Sequence, residues 1–208
     1  MDQVFLTGFS TGAFLAYTLA CSNPAAYRGV AVNAGSIGRG HIDECKSING
    51  SVDVIGFHSL ADPTVPWNGT LAWASQPEVE AVWRHRNGCT GTEPGQVTFN
   101  SSTSVCTRYE CPGAHVEQCN VIGLDHCWIG GRSGGFAVCE ARPGDVDVTQ
   151  HMFRRWDALV ASDTPSGGGR QQQQQQQPDD DDDNNSYIAF TSIDIACGNN
   201  CSSGSTCK

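Results

Sequence analysis

The chain has almost no lysine, with Lys46 and Lys208 as its two. It also lacks any C-x-x-C pair, and no stretch reaches the roughly 18–20 apolar residues of a membrane span. Its opening, Met1-Asp2-Gln3-Val4-Phe5-Leu6, has neither the basic nor the apolar segment of a signal peptide. Each lack excludes something. Without an apolar run, no membrane partner is expected. Residues 1–160 carry ten Lys/Arg against fifteen Asp/Glu, so 10 − 15 = −5. With no basic face to track phosphates, nucleic-acid binding is not expected. Zinc-binding cysteines come in tight pairs, so their absence removes the usual metal reading of the cysteines. A set formed by His115, Cys119, Cys127 and Cys139 matches no metal-ligand spacing, and no metal is expected.

What remains is a heavy cysteine load, eleven in 208 residues. Asn-x-Ser/Thr sequons start at Asn49, Asn68, Asn100, Asn184 and Asn200. Together these point to disulfides, to glycosylation at Asn49, Asn68 and Asn100, and to an oxidising, secretory compartment. The expected localisation is therefore extracellular.

Along the chain, residues 4–7 form a short apolar run that stops at Gly8, as a buried strand does. Residues 12–20 are dense in helix formers and end before Asn23-Pro24. Further strands are expected over 27–34, 52–58 and 115–123, a hairpin over 97–109, and helices over 78–87 and 147–160. Strands alternating with helices predict an α/β fold with a mostly parallel sheet flanked by helices. The domain is expected over residues 1–162. A Gly/Gln/Asp linker over 163–186 reads as disordered, and 187–208 as a cysteine-rich tail.

The chemistry starts at Gly8-Phe9-Ser10-Thr11-Gly12, between an expected strand and an expected helix. Such a turn strains the serine backbone and projects its hydroxyl at the strand end, and the glycines remove side chains that would collide. The Thr11 amide, at the helix N-terminus, is placed to donate to a developing oxyanion. A plain Gly/Ser turn is the competing reading. A serine needs a base held by an acid, and in this architecture the order is Ser, Asp or Glu, then His. Asp62 follows the third expected strand and His126 the fourth. Singly, each is also a common turn or loop residue. His58 precedes Asp62 and is a candidate to line the site, with Trp67 and Trp128 as further substrate-binding candidates.

At these residues the chain resembles the secreted esterases of the polyhydroxybutyrate-depolymerase and feruloyl/acetylxylan-esterase family, over about residues 2–157. The resemblance rests on Gly8-Phe9-Ser10-Thr11-Gly12-Ala13 and Cys21, on Ala34-Gly35, and on His58 with Ala61-Asp62-Pro63-Thr64-Val65-Pro66-Trp67. It continues through Trp83, Asn87-Gly88-Cys89, Tyr109-Glu110-Cys111 and His126-Cys127-Trp128. Ala13, Asp125 and Ile129 depart from the family pattern. The resemblance implies the triad Ser10, Asp62 and His126, a disulfide between Cys89 and Cys111, an α/β-hydrolase fold and no organic cofactor. Such hydrolases have several strands ahead of the elbow, and a loop there supplies a second oxyanion donor. With the elbow at residue 8, the expectation is an N-terminally shortened chain whose first strand is an open sheet edge.

The resulting expectation is a secreted serine carboxylic-ester hydrolase acting through an acyl-enzyme on feruloyl or acetyl esters of plant polysaccharide. The alternatives are a polyhydroxyalkanoate (polyester) depolymerase, a serine peptidase of the same fold, and a non-catalytic extracellular binding protein.

Overall fold

The computed structural model describes residues 4–131, 138–162 and 187–190. The linker expected over 163–186 lies outside the described residues, as do Cys197, Cys201 and Cys207.

The strands are β1 (Phe5–Phe9), β2 (Gly29–Asn33), β3 (Asp53–Ser59), β4 (Gln96–Asn100), β5 (Ser104–Glu110), β6 (His115–Val121), β7 (Trp128–Gly131), β8 (Val138–Glu140) and β9 (Tyr187–Phe190). The helices are α1 (Thr11–Ser22), α2 (Ile42–Ser47), α3 (Gln76–Arg86) and α4 (Val148–Ser162). Seven strands form one sheet in the order β4-β5-β6-β3-β2-β1-β9. From β6 to β9 every pairing is parallel, while β4 and β5 form the antiparallel hairpin expected over 97–109. The architecture is the mixed α/β arrangement expected from the alternating pattern. The remaining two strands, β7 and β8, pair separately.

Two cores explain why the central strands read as nearly continuous apolar runs. Leu6, Val30, Val32, Val54 and Val116 face α1 and α3, where they meet Ala13, Tyr17, Val79 and Trp83. The alternate residues Phe5, Ala31, Ile55, Phe57 and Val121 face α4, where they meet Met152, Trp156 and Leu159. A parallel sheet covered on both faces needs apolar residues at every strand position.

The expectation of an open edge at β1 is corrected. Its outer edge pairs with β9 in register, Phe5 opposite Tyr187 through Gly8 opposite Phe190, and Phe5, Leu6 and Thr7 are buried. A strand drawn from the expected tail region satisfies the backbone groups that would otherwise face water.

Short elements escaped the sequence pattern. Helix α2 is six residues long, below the length at which helical periodicity is readable, and β7 and β8 have four and three residues. By contrast α3 announces itself through a capping box: the Ser75 hydroxyl accepts from the Glu78 amide, and the Glu78 carboxylate accepts from the Ser75 amide. Arg39 also donates to Glu78 at 2.5 Å, and these bonds hold the Glu78 carboxyl down to about 2.

Four disulfides are present among the described residues: Cys21–Cys45, Cys89–Cys111, Cys106–Cys119 and Cys127–Cys139. Their sequence separations of 12 to 24 residues staple loops within the domain.

Candidate active site

Ser10 lies between β1 and α1 with φ 53° and ψ −119°. Few non-glycine residues adopt such angles, and here the surroundings enforce them. The Ser10 amide donates to the Asn33 carbonyl at 3.1 Å, and the Ser10 carbonyl accepts from the amides of Ala13 and Phe14. Helix α1 then doubles back across β1. A Cβ on Gly8 would stand 2.3 Å from the Gly12 carbonyl oxygen, a backbone contact that cannot yield. Gly8 of the pentapeptide is thus required by close approach, as the sequence reading supposed. Thr11 begins α1 and is exposed. The first amides of a helix have no carbonyl one turn back to accept from them, so its N–H is free to meet an anion.

Asp62 sits in the loop after β3 and is 4% exposed. One carboxylate oxygen accepts from the amides of Thr64 (2.8 Å) and Val65 (2.9 Å), which folds the Asp62-Pro63-Thr64-Val65 loop around it. The other accepts from His126 Nδ1 at 2.8 Å. Burial by itself would raise this carboxyl. The bonds from His126, Val65 and Thr64 outweigh it and hold the group below its ordinary 3.8.

His126 follows β6 in a turn that begins at Gly123, whose φ is +69°. Because the Asp62 carboxylate can only accept, Nδ1 carries the ring proton. Nε2 is then an acceptor, and it stands 2.8 Å from Ser10 Oγ. Hydroxyl, imidazole and carboxylate form a continuous hydrogen-bonded relay at the C-terminal ends of β1, β3 and β6. The Phe9 ring packs against the imidazole with centroids 4.9 Å apart. Ser59 braces the two loops: its hydroxyl donates to the Leu124 carbonyl and accepts from the Leu124 amide.

The other predicted residues fall in different places. Trp67 lies on the loop beyond Asp62, its indole N–H donating to Asn120 at 3.0 Å. Trp128 begins β7 and donates to Thr149 at 3.2 Å. Both are partly exposed. His58 corrects the sequence reading. It is 0% exposed, so it does not line the surface that a substrate meets. Its Nε2 donates to the Val65 carbonyl at 2.7 Å and lies 3.7 Å from Asp62, and burial pushes its pKa below the ordinary 6.5. A neutral ring therefore braces the Asp62 loop from behind. Asn49, Asn68 and Asn100 are all exposed.

Phe9 and Asn33 went unread in the sequence. Phe9 had a usable signal, since it sits within the pentapeptide. Asn33 had none, being a lone polar residue at the end of an apolar strand. Away from this site, Cys106, Glu117, Cys119 and His151 bring ligand-type atoms within 4.8 Å of one another. The two sulfurs are joined to each other, and Glu117 already accepts from Thr98 and pairs with His151.

No family model matches the chain. It is similar to the feruloyl esterase C of Emericella nidulans, 34% identical over 111 residues, covering 52% of this chain and 37% of that protein. It is also similar to the probable feruloyl esterase C of Aspergillus terreus, 30% identical over 106 residues, covering 51% and 36%. A third relative, the probable feruloyl esterase C of Aspergillus niger, is 35% identical over 72 residues, covering 35% and 25%. The match thus spans between a quarter and little more than a third of the length of these curated relatives. Their names support the feruloyl esterase side of the resemblance and not the polyhydroxybutyrate depolymerase side.

Proposed function

We propose that this chain carries the catalytic residues of a secreted serine ester hydrolase with an α/β-hydrolase core, acting on feruloyl or acetyl esters of plant polysaccharide. One observation carries the reading: His126 bridges Ser10 and Asp62 at 2.8 Å each, the geometry that general-base catalysis requires. Similarity to feruloyl esterases supports the ester class, and four disulfides support an oxidising compartment.

In this mechanism Ser10 Oγ attacks the ester carbonyl carbon as its proton passes to His126 Nε2. The carbonyl oxygen becomes an oxyanion facing the Thr11 amide at the start of α1. Collapse breaks the ester bond, and His126 returns the proton to the departing alcohol. Water then attacks the acyl-enzyme with the same histidine as base, which releases the acid and restores Ser10. Throughout, Asp62 holds the imidazole and stabilises its protonated form. The Phe9 ring against the His126 imidazole offers a flat apolar face suited to an aromatic acyl group, and the partly exposed Trp67 and Trp128 are assigned to the same role. Glycans at Asn49, Asn68 and Asn100 fit the exposure of those side chains.

A fluorophosphonate probe tests the reading. Labelling is expected at Ser10 and is expected to vanish in Ser10→Ala, with methyl ferulate turned over by the wild type. A folded wild-type chain that stays unlabelled would overturn the enzyme reading in favour of a binding protein. Turnover of a peptide anilide in preference to methyl ferulate would reassign the substrate to peptides.

A further inference from the structure

Asn33 is the last residue of β2 and is 0% exposed. It is hydrogen-bonded both to Ser10 and to the residue that follows His126. Its carbonyl oxygen accepts the Ser10 amide at 3.1 Å, and its side-chain Nδ2 donates to the carbonyl of Cys127 at 2.8 Å. Cys127 adjoins His126 in the chain. The backbone then turns at Ala34, whose φ is +53°, and the Ala34 amide donates to the Phe57 carbonyl of β3 at 2.9 Å. Asn33 is therefore clamped between β1 and β3 at the point where the sheet meets the loops.

The fold alone gives little reason for an amide here. Asn33 Oδ1 is buried without a hydrogen-bond partner among the described residues, an arrangement that costs stability. The position lies between the β2 core residue Val32 and buried Ala34, where an apolar side chain of similar volume would pack without that cost. What the amide contributes is the donor to Cys127. The chain separation shows its value: Asn33 and Cys127 are 94 positions apart, and Ser10 and His126 are 116 apart. Asn33 thus links the residue that bears the hydroxyl to the loop that bears the imidazole.

Resting on the serine-hydrolase reading above, we infer that Asn33 is a positioning residue: its Nδ2–Cys127 hydrogen bond sets the height of the His126 loop over Ser10. It touches no reacting atom. It acts through the distance between Ser10 Oγ and His126 Nε2, and displacements of about 1 Å at reacting atoms cost on the order of 100-fold in rate.

The test compares wild type, Asn33→Leu and Asn33→Asp by three readouts: kcat and KM for methyl ferulate, the rate of fluorophosphonate labelling at Ser10, and thermal unfolding. Leucine keeps the branched shape and the number of side-chain heavy atoms and removes the donor. It is expected to fold and to lose about 10- to 100-fold in kcat and labelling rate, with KM changed less than about twofold. In Asn33→Asp the introduced carboxyl donates only while protonated, and burial holds its pKa up. Its kcat is therefore expected to fall with rising pH over a range where the wild-type rate stays level, a limb that simple destabilisation does not create. Folded Asn33→Leu with wild-type kcat overturns the inference, as does an Asn33→Asp pH profile parallel to that of the wild type. Failure of both variants to fold assigns Asn33 to the fold and overturns it equally. A folded wild type that is not labelled at all removes the underlying serine-hydrolase reading instead, and that outcome is read before any variant is compared.

Discussion

Ser10 holds backbone angles that cost a non-glycine residue about 1–3 kcal/mol, and the strain is sustained by hydrogen bonds on both sides of it. Such strain projects a hydroxyl where a helix N-terminus and an imidazole converge. The same scale decides the tautomer of His126, since Asp62 offers only acceptors. Replacing that carboxylate by an amide presents a donor as readily as an acceptor, so the imidazole loses its enforced tautomer. Asp62→Asn is expected to fold and to lower kcat for methyl ferulate by about four orders of magnitude, with little change in KM. Steady-state kinetics on the purified variant check this. His58 shows how residue type misleads when burial is unknown. Its place at a strand end beside Asp62 was legible, whereas its enclosure depends on the loop through Val65 folding back over it.

At the scale of elements, α4 is held to the sheet by ions as well as by Trp156 and Met152. Arg155 reaches Asp53 at the start of β3 at 2.6 Å, and His151 pairs with Glu117 of β6 at 3.2 Å. Glu117 is 2% exposed. Burial alone would raise its pKa, but the bonds from His151 and Thr98 outweigh it and keep the carboxyl below its ordinary 4.5. A depressed folded value means that the unfolded chain takes up the proton first as pH falls. The contribution of the ionised Glu117 carboxylate is therefore complete above 4.5 and is lost as pH drops below it through the folded value. Glu117→Gln is expected to cost about 2 kcal/mol near neutral pH and to flatten this acid loss. Thermal unfolding of wild type and variant across the acidic range is the measurement. The strands and long helices that carry these contacts were legible in the sequence, because each shows a period or a cap. Helix α2 and the pair β7–β8 were not, since elements of three to six residues hold too few positions to show a period.

For the whole molecule, the parallel order β6-β3-β2-β1 brings the C-terminal ends of three strands to one edge, and Ser10, Asp62 and His126 converge there. The disulfides divide by the same geometry. Cys127–Cys139 secures the loop next to His126, while Cys89–Cys111 closes the opposite edge, where β5 ends and β6 begins. Each closes a loop worth roughly 3 kcal/mol in chain entropy. Removing either pair by Cys→Ser is expected to lower the unfolding temperature. Removing Cys127 and Cys139 is expected also to slow probe labelling of the folded fraction, while removing Cys89 and Cys111 is not. Labelling rates normalised to folded protein separate the two.

The sequence by itself determined the fold class, the strained pentapeptide with the Gly8 it requires, and the order serine, aspartate, histidine. These are local or periodic properties, written in neighbouring residues, and they follow from sterics and the spacing of apolar side chains. Only the tertiary structure decided that His126 stands 2.8 Å from both partners, that His58 lies buried behind Asp62, that β9 closes the edge of β1, and that Asn33 ties the two loops together. Contacts between residues 64 to 116 positions apart depend on how whole strands pair and loops fold back, which no local pattern encodes.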